Sequence, residues 1–400
     1  MEKMEGALKG IRVLDFSRML AGPYCSELLA QMGAEVIRIE RPGGELDRTS
    51  GIPAGDTTWA FFFLHTACNK KCITLNLQSD KGKEITKELV KRSDVLLHNL
   101  PPGAAKTTGL EYEIIKEANP AIIFAALTGF GQTGPYKDRL AFDVILQAMS
   151  GAMSLTGFPD KPPTRSVVSY IDFGTGLMTA LGIMVALFHR ERTGRGQMVD
   201  TALIDTAISF IASHGLVSEY NLFQSHRLRL GNSSFWTLAD CFKAKDGWVF
   251  FYVNFDSDWR RITKLMGRED LAEDPRFRSD YLRFNNRHLI QPIIGEWMAE
   301  KTVGEVTSLL EKIRIPCGAV NTIDGIIDDP QIKAREMLVE VEYPGIGKLS
   351  PPGVPIKFSE TPGRVDKRPP LLGEHNEEIY GSLLGFSPEE LSQLQEEGVI

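Results

Sequence analysis

Residues 11–40 read IRVLDFSRMLAGPYCSELLAQMGAEVIRIE and contain one complete strand–helix–strand unit. The stretches Ile11–Phe16 and Glu35–Glu40 are short and rich in aliphatic residues, many of them β-branched, which is typical of strands. Between them the spacing predicts a helix from about Pro23 to Met32, which stops at Gly33. Strands joined by a helical crossover pair in parallel, so this unit predicts a parallel sheet.

The same alternation continues outward from this unit to about residue 127. It predicts, in chain order, strand Ile73–Asn76, a helix over 80–93, strand Val95–His98, a helix over 111–118 and strand Ile122–Leu127. Because successive βαβ units have right-handed crossovers, we expect an α/β, doubly wound, Rossmann-like domain.

The middle and the end of the chain change character. Apolar helices are predicted over about 140–152, 172–190 and 198–213, and they would complete a large domain of residues 1–220. Strands and amphipathic helices then predict a smaller α+β domain over 221–322. The irregular tail 323–400 is expected to return to the large domain or to cover a partner subunit, because such long irregular segments are rare in a compact monomer.

Composition excludes several classes of function. The chain has 400 residues, a formal net charge of −7, and no runs of basic residues, which argues against nucleic acid as a partner. Its longest apolar run, residues 177–188, is shorter than the roughly 20 residues that span a bilayer, so no membrane association is expected. Five scattered cysteines fit reduced thiols and a cytoplasmic location better than a disulfide framework.

The familiar motifs of cofactor binding are missing. Ser17–Pro23, after the first strand, lacks the G-x-G-x-x-G spacing of dinucleotide binders, and no G-x-x-x-x-G-K-[ST] occurs. The seven histidines are isolated, and Cys68 and Cys72 have no second ligand pair, so no metal site is expected. A Rossmann-like layer without these motifs should bind its ligand in another way, and nicotinamide chemistry is disfavoured.

Asp172 is the strongest candidate for a functional residue. It stands in Ser169-Tyr-Ile-Asp-Phe-Gly-Thr-Gly-Leu177, at the start of the apolar helix, where the helix dipole favours an ionised carboxylate. Such a carboxylate can act as a nucleophile, with Gly174 and Gly176 letting backbone approach a ligand closely. On these residues alone the commoner role would be a helix cap formed by the Asp172 side chain.

Many segments, in order along residues 8–400, share one further pattern. They are Gly10-Ile-Arg-Val-Leu-Asp-Phe-Ser17, Ala21-Gly-Pro23, Gly33-Ala-Glu-Val-Ile-Arg-Ile-Glu-Arg41, Asn69-Lys-Lys71, Pro101-Pro-Gly103, Thr128-Gly-Phe-Gly-Gln-Thr-Gly-Pro135, Gln147-Ala-Met-Ser-Gly151, Arg192-Thr-Gly-Arg-Gly-Gln197 and Pro370-Leu-Leu-Gly-Glu-His375. Together they resemble the family III CoA-transferases, which include formyl-CoA, carnitine and bile-acid CoA-transferases and are related to α-methylacyl-CoA racemase.

The resemblance implies a reaction and a nucleophile. The family's aspartate precedes a T-G-[RK]-G-Q segment, and Asp172 is the residue that matches it. In such proteins the carboxylate attacks an acyl-CoA thioester, passes through an aspartyl anhydride and an aspartyl-CoA thioester, and finally transfers CoA to an acceptor acid. The expected substrates are therefore an acyl-CoA and a carboxylic acid, with coenzyme A entering as a substrate and no tightly bound cofactor or metal.

The resemblance also implies residues that contact CoA. Arg41, Leu75 and Asn99 match positions that line the nucleotide site. Lys106 and Thr107 stand where the family commonly has an arginine before the next glycine, and Lys106 would supply only a point charge. Arg139 and Asp143 flank a segment that in relatives borders pantetheine, although either could equally be a solvated charge at a helix start.

A loop and a partner complete the expectations. Gly231 and Asn232 begin the segment Gly231-Asn-Ser-Ser-Phe235, which matches a substrate loop but lacks the glycine run of formyl-CoA transferase. We therefore do not expect oxalate and formyl-CoA as substrates. The resemblance further implies an interlocked, ring-like homodimer, whose active site lies between the large domain of one subunit and the small domain of the other.

Two alternative functions differ from this interpretation in testable ways. A racemase like α-methylacyl-CoA racemase needs bases on both faces of the substrate α-carbon, whereas Phe142 stands where those relatives have histidine. A non-catalytic CoA-binding protein would not need Asp172. Exchange of the α-hydrogen with deuterated water would identify the racemase, and absence of any covalent adduct on Asp172 would favour the binding protein.

Overall fold

The computed structural model describes residues 6–54 and 59–400. Its centre is a six-stranded sheet in the order β3-β2-β1-β4-β5-β6, in which every neighbouring pair is parallel. The strands are β1 (Arg12–Asp15), β2 (Glu35–Glu40), β3 (Lys71–Thr74), β4 (Val95–His98), β5 (Ile123–Thr128) and β6 (Gln197–Ala202). The predicted α/β class and parallel sheet are confirmed, and this strand order is that of doubly wound sheets.

Helices connect these strands and also make up much of the chain after β6. They are α1 (Ala21–Gln31), α2 (Phe61–Thr66), α3 (Asp80–Val90), α4 (Pro102–Thr108), α5 (Tyr112–Ala118), α6 (Asp143–Met149), α7 (Ala152–Leu155), α8 (Tyr170–Thr193), α9 (Leu203–Ser213), α10 (Leu216–Phe223), α11 (Asp256–Leu265), α12 (Asp270–Glu273), α13 (Asp280–Asn285), α14 (Arg287–Ala299), α15 (Val303–Lys312), α16 (Ile323–Ile327), α17 (Pro330–Ala334) and α18 (Pro388–Glu396). Short 3₁₀ helices cover Leu46–Arg48 and Pro275–Phe277, and a π-helix covers Glu377–Leu383.

The two faces of the sheet carry separate cores because successive strand residues point to opposite sides. Val13 and Leu97 pack on the face covered by α1 and α8. Leu14 and Leu96 pack on the other face, against α3, α5 and the C-terminal segment. Both faces of the sheet are therefore covered, as a parallel sheet requires.

The chain divides into two compact units. The first comprises residues 1–150, 166–222 and 330–400, and the second comprises residues 151–165 and 223–329. The second unit contains an antiparallel sheet in the order β7-β8-β9, formed by β7 (Leu238–Lys243), β8 (Trp248–Val253) and β9 (Cys317–Ala319). Compared with the predicted small domain over 221–322, this unit also includes 151–165 and extends to residue 329.

The C-terminal segment belongs to the first unit and packs beside β3. Tyr380 donates its hydroxyl to the carbonyl of Thr74 at 2.5 Å, and Asn76 donates its backbone N–H to Val399 at 2.8 Å. Ahead of it, β10 (Val341–Tyr343) and β11 (Gly347–Leu349) form a small antiparallel hairpin. The part of the predicted tail from 330 onward thus lies within the same compact unit as the sheet.

One predicted helix is wrong in its first third. The helix expected over 198–213 begins only at Leu203, because Gln197–Ala202 pairs with β5 as the sixth parallel strand. The segment Met198-Val-Asp-Thr201 contains two β-branched residues, which suit a strand, but the apolar residues after it continue a helical pattern. The sequence of 198–202 is compatible with both a strand and a helix. Pairing with β5 makes it a strand, which apolar spacing alone could not predict.

Helix α8 is buried on one side only, although its apolar sequence is typical of a core helix. Thr175, Thr179 and Ile183 are buried against the sheet layer, whereas the opposite side of the helix is exposed. The exposed apolar side chains are Leu177, Met178, Leu181, Met184, Val185 and Phe188. The helix has 24 residues and a mean hydropathy of 1.8 in its most apolar window, so by length and composition alone it could cross a membrane, contrary to the estimate from residues 177–188. A core helix that packs on a sheet passes the same test, and such evidence is weak.

Candidate active site

A cleft of about 520 Å³ opens at the carboxyl ends of the central strands. Segments that follow β1, β2, β4 and β5 line it, and so does the N-terminus of α8. The lining residues are Arg18, Met19, Leu20, Ala21, Arg41, Glu45, Leu46, Asn99, Leu100, Pro101, Leu127, Thr128, Gly129, Lys137, Arg139, Leu140, Ala141, Phe142, Asp172 and Leu203. In open parallel sheets ligands bind at this edge, near the point where the strand order reverses between β1 and β4.

Asp172 lines this cleft as the third residue of α8. The backbone N–H groups of Ile171 and Asp172 donate to one oxygen of Asp143, at 2.8 Å and 3.1 Å. The cap of this helix is therefore the side chain of Asp143, not that of Asp172, which was the commoner role considered from the sequence. Within the described residues no hydrogen bond reaches the Asp172 carboxylate, so its oxygens stay available to a ligand in the cleft.

The electrostatics at Asp172 oppose the expectation of a fully ionised carboxylate. Burial raises the pKa of Asp172 to about 7, and the charge of Asp143 acts in the same direction. The expected ionisation of Asp172 depended on the helix dipole. At exposed sites this dipole stabilises an anion by no more than about 1 kcal/mol. Here desolvation and a neighbouring like charge outweigh it, and the carboxylate becomes more basic and a better nucleophile when ionised.

Gly174 and Gly176 have structural roles, and their predicted role of letting backbone approach a ligand stays a prediction. A Cβ added to Gly176 would stand 2.5 Å from the carbonyl oxygen of Ala21, and one added to Gly174 would stand 2.8 Å from the ring of Phe210. These glycines allow α8 to pack closely against α1 and α9. They fix the helix whose first turn presents Asp172.

A loop after β1 forms one wall of the cleft and was missed in the sequence analysis. Met19 has a positive φ of 67°, and its backbone N–H donates to Asp47 at 3.1 Å. Asn99 accepts a hydrogen bond from the backbone of Arg18 at 2.9 Å and donates one back at 2.6 Å. Asn99, predicted as a nucleotide contact, thus fixes the loop that carries Arg18. The signal that could have found Arg18 is its place directly after the central strand.

Cationic side chains are concentrated in this cleft. Arg18, Arg41, Lys137 and Arg139 line it, and Arg18 forms an ion pair with the buried Glu45 at 3.0 Å. The guanidinium of Arg139 lies 4.0 Å from the centre of the Tyr136 ring, which holds it in place. Planar guanidinium groups suit phosphate and carboxylate oxygens, so the cleft can bind an anionic ligand.

A smaller pocket of about 260 Å³ adjoins the cleft and shares four lining residues with it. The shared residues are Arg18, Arg41, Glu45 and Leu100. Leu75, predicted to line the nucleotide site, lies in this pocket with Thr108. The pocket extends the cleft toward the carboxyl ends of β2 and β3, which gives a long ligand a second compartment.

Other predicted contacts lie elsewhere. Lys106 and Thr107 are exposed on α4, and neither lines the cleft or the adjoining pocket, where their neighbour Thr108 stands instead. Asp143 is buried behind Asp172, with 3% exposure, rather than lining the cleft. Its side chain contacts the terminus of α8 instead. Arg41, Leu75, Asn99, Arg139 and Asp172 are brought together in the first unit.

Gly231 and Asn232 belong to the second unit. Gly231 has a positive φ of 63°, and a Cβ there would stand 2.6 Å from the ring of Phe158. Its backbone N–H donates to Gly157 at 2.9 Å, so the loop is tied to the segment 151–165. Glycine is required at this turn by both its backbone conformation and its packing.

Comparison with known proteins identifies the class of this site. The sequence model of the family described as CoA-transferase family III matches residues 8–376 of this chain. The chain belongs to CoA-transferase family III. It is an enzyme that transfers CoA between carboxylic acids. The resemblance stated from the sequence motifs is thereby confirmed.

Three similar proteins illustrate the family. The chain is 38% identical to a formyl-CoA:oxalate CoA-transferase of Streptomyces coelicolor, over 98% of this chain and 99% of the relative. It is 36% identical to a succinyl-CoA–D-citramalate CoA-transferase of Chloroflexus aurantiacus, over 98% of each chain. A crystal structure of a CAIB/BAIF family protein from Brucella suis superposes with a TM-score of 0.84 at 33% identity, covering 95% of this chain and all of that one.

The family III comparisons leave the substrates of this chain open. The prediction that oxalate and formyl-CoA are not its substrates stays a prediction, since relatives with similar identity act on different acids. Within residues 6–54 and 59–400, no group of three or more potential metal ligands occurs.

Proposed function

We propose that this transferase uses Asp172 as a covalent nucleophile to move CoA from an acyl-CoA donor to a carboxylic acid. One observation carries the proposal: Asp172 lines the cleft with a carboxylate that accepts no hydrogen bond from the residues the structure describes, and burial raises its pKa to about 7. A surface carboxylate would be less basic and so a poorer nucleophile.

The proposed reaction begins with attack of the Asp172 carboxylate on the thioester carbonyl. The C–S bond breaks, CoA leaves as a thiolate, and an aspartyl–acyl anhydride forms. The thiolate then attacks the aspartyl carbonyl, which releases the first acid and leaves an aspartyl-CoA thioester. The acceptor carboxylate attacks this thioester, which breaks its C–S bond, releases the CoA thiolate and gives a new anhydride. The thiolate then attacks the acceptor's carbonyl in that anhydride, which forms the product acyl-CoA and releases the Asp172 carboxylate. The free energy of the thioester is conserved only if water is kept from hydrolysing the anhydride and the enzyme thioester. The partial burial of Asp172 favours this exclusion of water.

Charge and shape support a division of the cleft between CoA and the reacting acids. Arg18 and Arg41 border both the cleft and the adjoining pocket, where phosphates of a long CoA molecule could span the two. Leu75 gives the pocket an apolar wall suited to an adenine ring. Lys137 and Arg139 line the cleft with Asp172, and their charges suit the carboxylate of an acceptor acid.

Relatives act on small acids such as oxalate and D-citramalate, according to their names. We propose a small carboxylic acid, with one or more carboxylates, as the acceptor here. The racemase alternative is less well supported: Phe142 lines the cleft, and no histidine is among the residues that line it. A racemase needs a base on each face of the α-carbon, and Phe142 cannot accept a proton at the position where racemase-type relatives have histidine.

We also propose that the chain acts as a homodimer. The exposed apolar side of α8 includes Leu181 at 58% and Phe188 at 55% exposure, and a soluble monomer rarely leaves such a contiguous face uncovered. A second copy would bury it.

Five free cysteines, three of them buried, are compatible with the proposed cytoplasmic location.

The test is chemical trapping of the acyl-enzyme. The protein is incubated with succinyl-CoA or acetyl-CoA, quenched with hydroxylamine, digested and analysed by peptide mass spectrometry. A hydroxamate is expected on Asp172 and on no other aspartate. Asp205 is the matched control residue, because it is also the third residue of its helix but is exposed. A protein that transfers CoA without ever modifying Asp172 would overturn the proposal.

A further inference from the structure

Asp143 and Gln147 form a buried polar pair directly behind the first turn of α8. Their side chains are on successive turns of α6, four residues apart, and are 3% and 2% exposed. One oxygen of Asp143 accepts the N–H groups of Ile171 and Asp172, at 2.8 Å and 3.1 Å. The side-chain amide of Gln147 donates to the other oxygen, and its own carbonyl accepts the backbone N–H of Ser166 at 2.9 Å.

This arrangement determines what the Asp172 side chain can do. The first turn of a helix has unpaired N–H groups, and an aspartate in that turn ordinarily folds back onto them. Asp143 already accepts two of these donors, so Asp172 has less to gain from capping its own helix. A carboxylate that accepts no N–H bonds keeps its lone pairs for a ligand and retains more of its basicity.

We infer that Asp143, held by Gln147, is a positioning residue that caps α8 in place of Asp172 and thereby leaves the Asp172 carboxylate available to a ligand in the cleft. The inference rests on the proposed role of Asp172 as nucleophile. It moves Asp143 from the set of predicted CoA contacts to a role that acts through another residue.

The charges around Asp172 are consistent with a specific effect of Asp143. Its charge is the one that acts together with burial to raise the pKa of Asp172. The elements packed on α8 carry other titratable groups, namely Tyr24, Cys25 and Glu27 on α1, Asp200 on β6 and Asp205 on α9, while Arg18, Arg41, Glu45, Lys137 and Arg139 face it across the cleft. β5 carries none. A substitution at Asp143 therefore changes the charge that acts together with burial on Asp172.

The test uses Asp143→Asn, which keeps an acceptor oxygen for the α8 amides but removes the charge. Single-turnover acylation of Asp172 by acetyl-CoA is measured across pH 5 to 9. The wild-type rate is expected to rise through a midpoint near the Asp172 pKa of about 7. In Asp143→Asn the midpoint is expected to fall by roughly one unit, and the plateau rate by about three- to ten-fold, because a less basic carboxylate is a weaker nucleophile.

A second readout does not depend on turnover. Carbodiimide reacts with the protonated carboxyl, so peptide-resolved labelling of Asp172 against pH reports its midpoint in the resting enzyme. Asp143→Asn should shift this curve to lower pH, and Asp143→Glu, which keeps the charge, should restore it toward the wild-type position. Circular dichroism verifies that each variant is folded, and Asp205→Asn should leave the curve unchanged.

The outcomes separate the two claims. If wild-type Asp172 is never acylated, the proposed function fails. If wild-type Asp172 is acylated but a folded Asp143→Asn variant keeps the same labelling midpoint and acylation profile, only the inference about Asp143 is overturned. If Asp143→Asn does not fold, the Gln147→Leu variant tests the same claim: loosening Asp143 should move the Asp172 midpoint, and an unmoved midpoint contradicts the inference.

Discussion

Two buried carboxylates in this molecule have opposite environments. Glu40, at the end of β2, is fully buried and lies 2.7 Å from both Arg38 and Arg48. Burial alone would raise the pKa of Glu40, but the two guanidinium groups outweigh it and hold the value at about 2. Asp172, at the start of α8, has a second carboxylate, Asp143, as its charged neighbour, and burial with that charge raises its pKa to about 7.

A structural carboxylate and the proposed nucleophile differ in the sign of the charge on their neighbours. Desolvation acts on both residues in the same direction, so burial alone does not distinguish them. Both oxygens of Glu40 accept hydrogen bonds from buried arginines, and one of these arginines, Arg38, also binds Asp47 at 2.7 Å. Asp172 lacks such partners and faces a cleft, the environment in which strongly perturbed carboxyl groups perform chemistry.

The largest effect is expected from Asp172→Asn. The amide keeps the size of the side chain but cannot form the anhydride, so kcat for CoA transfer should fall at least about 10⁴-fold. Binding of free CoA, measured by calorimetry, should change by less than about three-fold, because the carboxylate contacts the reacting carbon rather than the nucleotide.

The matched control for this variant is Asp205→Asn, which should keep full activity. A comparable loss in the control would point to a general effect of charge at helix starts. Substantial residual transfer by Asp172→Asn, after deamidation is excluded by mass spectrometry, would remove the contrast between the two carboxylates.

Glu40→Gln tests the other side of the comparison and should affect stability rather than chemistry. It leaves Arg38 and Arg48 buried with fewer anionic partners, which should lower the free energy of unfolding by about 3 kcal/mol. Urea unfolding monitored by tryptophan fluorescence measures this loss. Glu84→Gln, which breaks an exposed pair with Lys81, is the control and should change the midpoint little. Equal effects of both substitutions would contradict the structural role of the buried network.

Dependence of stability on pH should distinguish the two carboxylates in sign. The folded-state pKa of Asp172, about 7, lies above the unfolded value of about 3.9, so the folded protein binds more protons between these values and loses stability as pH rises through them. Asp172→Asn removes this loss and should be more stable than the wild type at pH 8, on the order of 1 to 2 kcal/mol.

At pH 4 the difference between Asp172→Asn and the wild type should nearly vanish. Glu40 behaves in the opposite way: its folded pKa of about 2 is depressed, so its contribution is present above the unfolded pKa and is lost as pH falls toward 2. Thermal melts of the wild type and of Asp172→Asn from pH 4 to pH 8 measure how the stability difference between them depends on pH. An Asp172→Asn variant that is less stable than the wild type at pH 8 would show that the carboxylate stabilises its helix.

Much of the sheet could be predicted because its strands carry local signals. The predicted bounds of β2 and β4 agree with the structure, since each strand is an aliphatic run delimited by polar or turn residues. The place of Asp172 at a helix start also followed from local sequence. The resemblance to family III then supplied its proposed role as nucleophile, which neither spacing nor composition could distinguish from that of a cap.

The rest depended on contacts between distant segments. Asp143 and Asp172 are 29 positions apart, and nothing local indicated that one would cap the helix of the other. The Asp143–Gln147 spacing on one face of α6 was a usable signal for a buried pair, but not for its target. Strand β6 was missed for a similar reason, because its partner β5 lies some 70 residues earlier and sheet pairing, not propensity, fixes it.

The smallest effect is expected from substitution of two cations, one inside the candidate CoA site and one outside it. Arg41 and Lys106 are both exposed and were both predicted to contact CoA, but only Arg41 lines the cleft and the adjoining pocket. Arg41→Gln should raise KM for acyl-CoA about ten-fold with little change in kcat, as loss of a phosphate contact that is equal in ground and transition states would do. The effect should shrink at high salt, because exposed charges are screened. Lys106→Gln should leave KM within about two-fold of the wild type. If instead Lys106→Gln weakens acyl-CoA binding as much as Arg41→Gln does, the phosphates extend over α4, and the site is wider than the cleft and pocket that Arg41 joins.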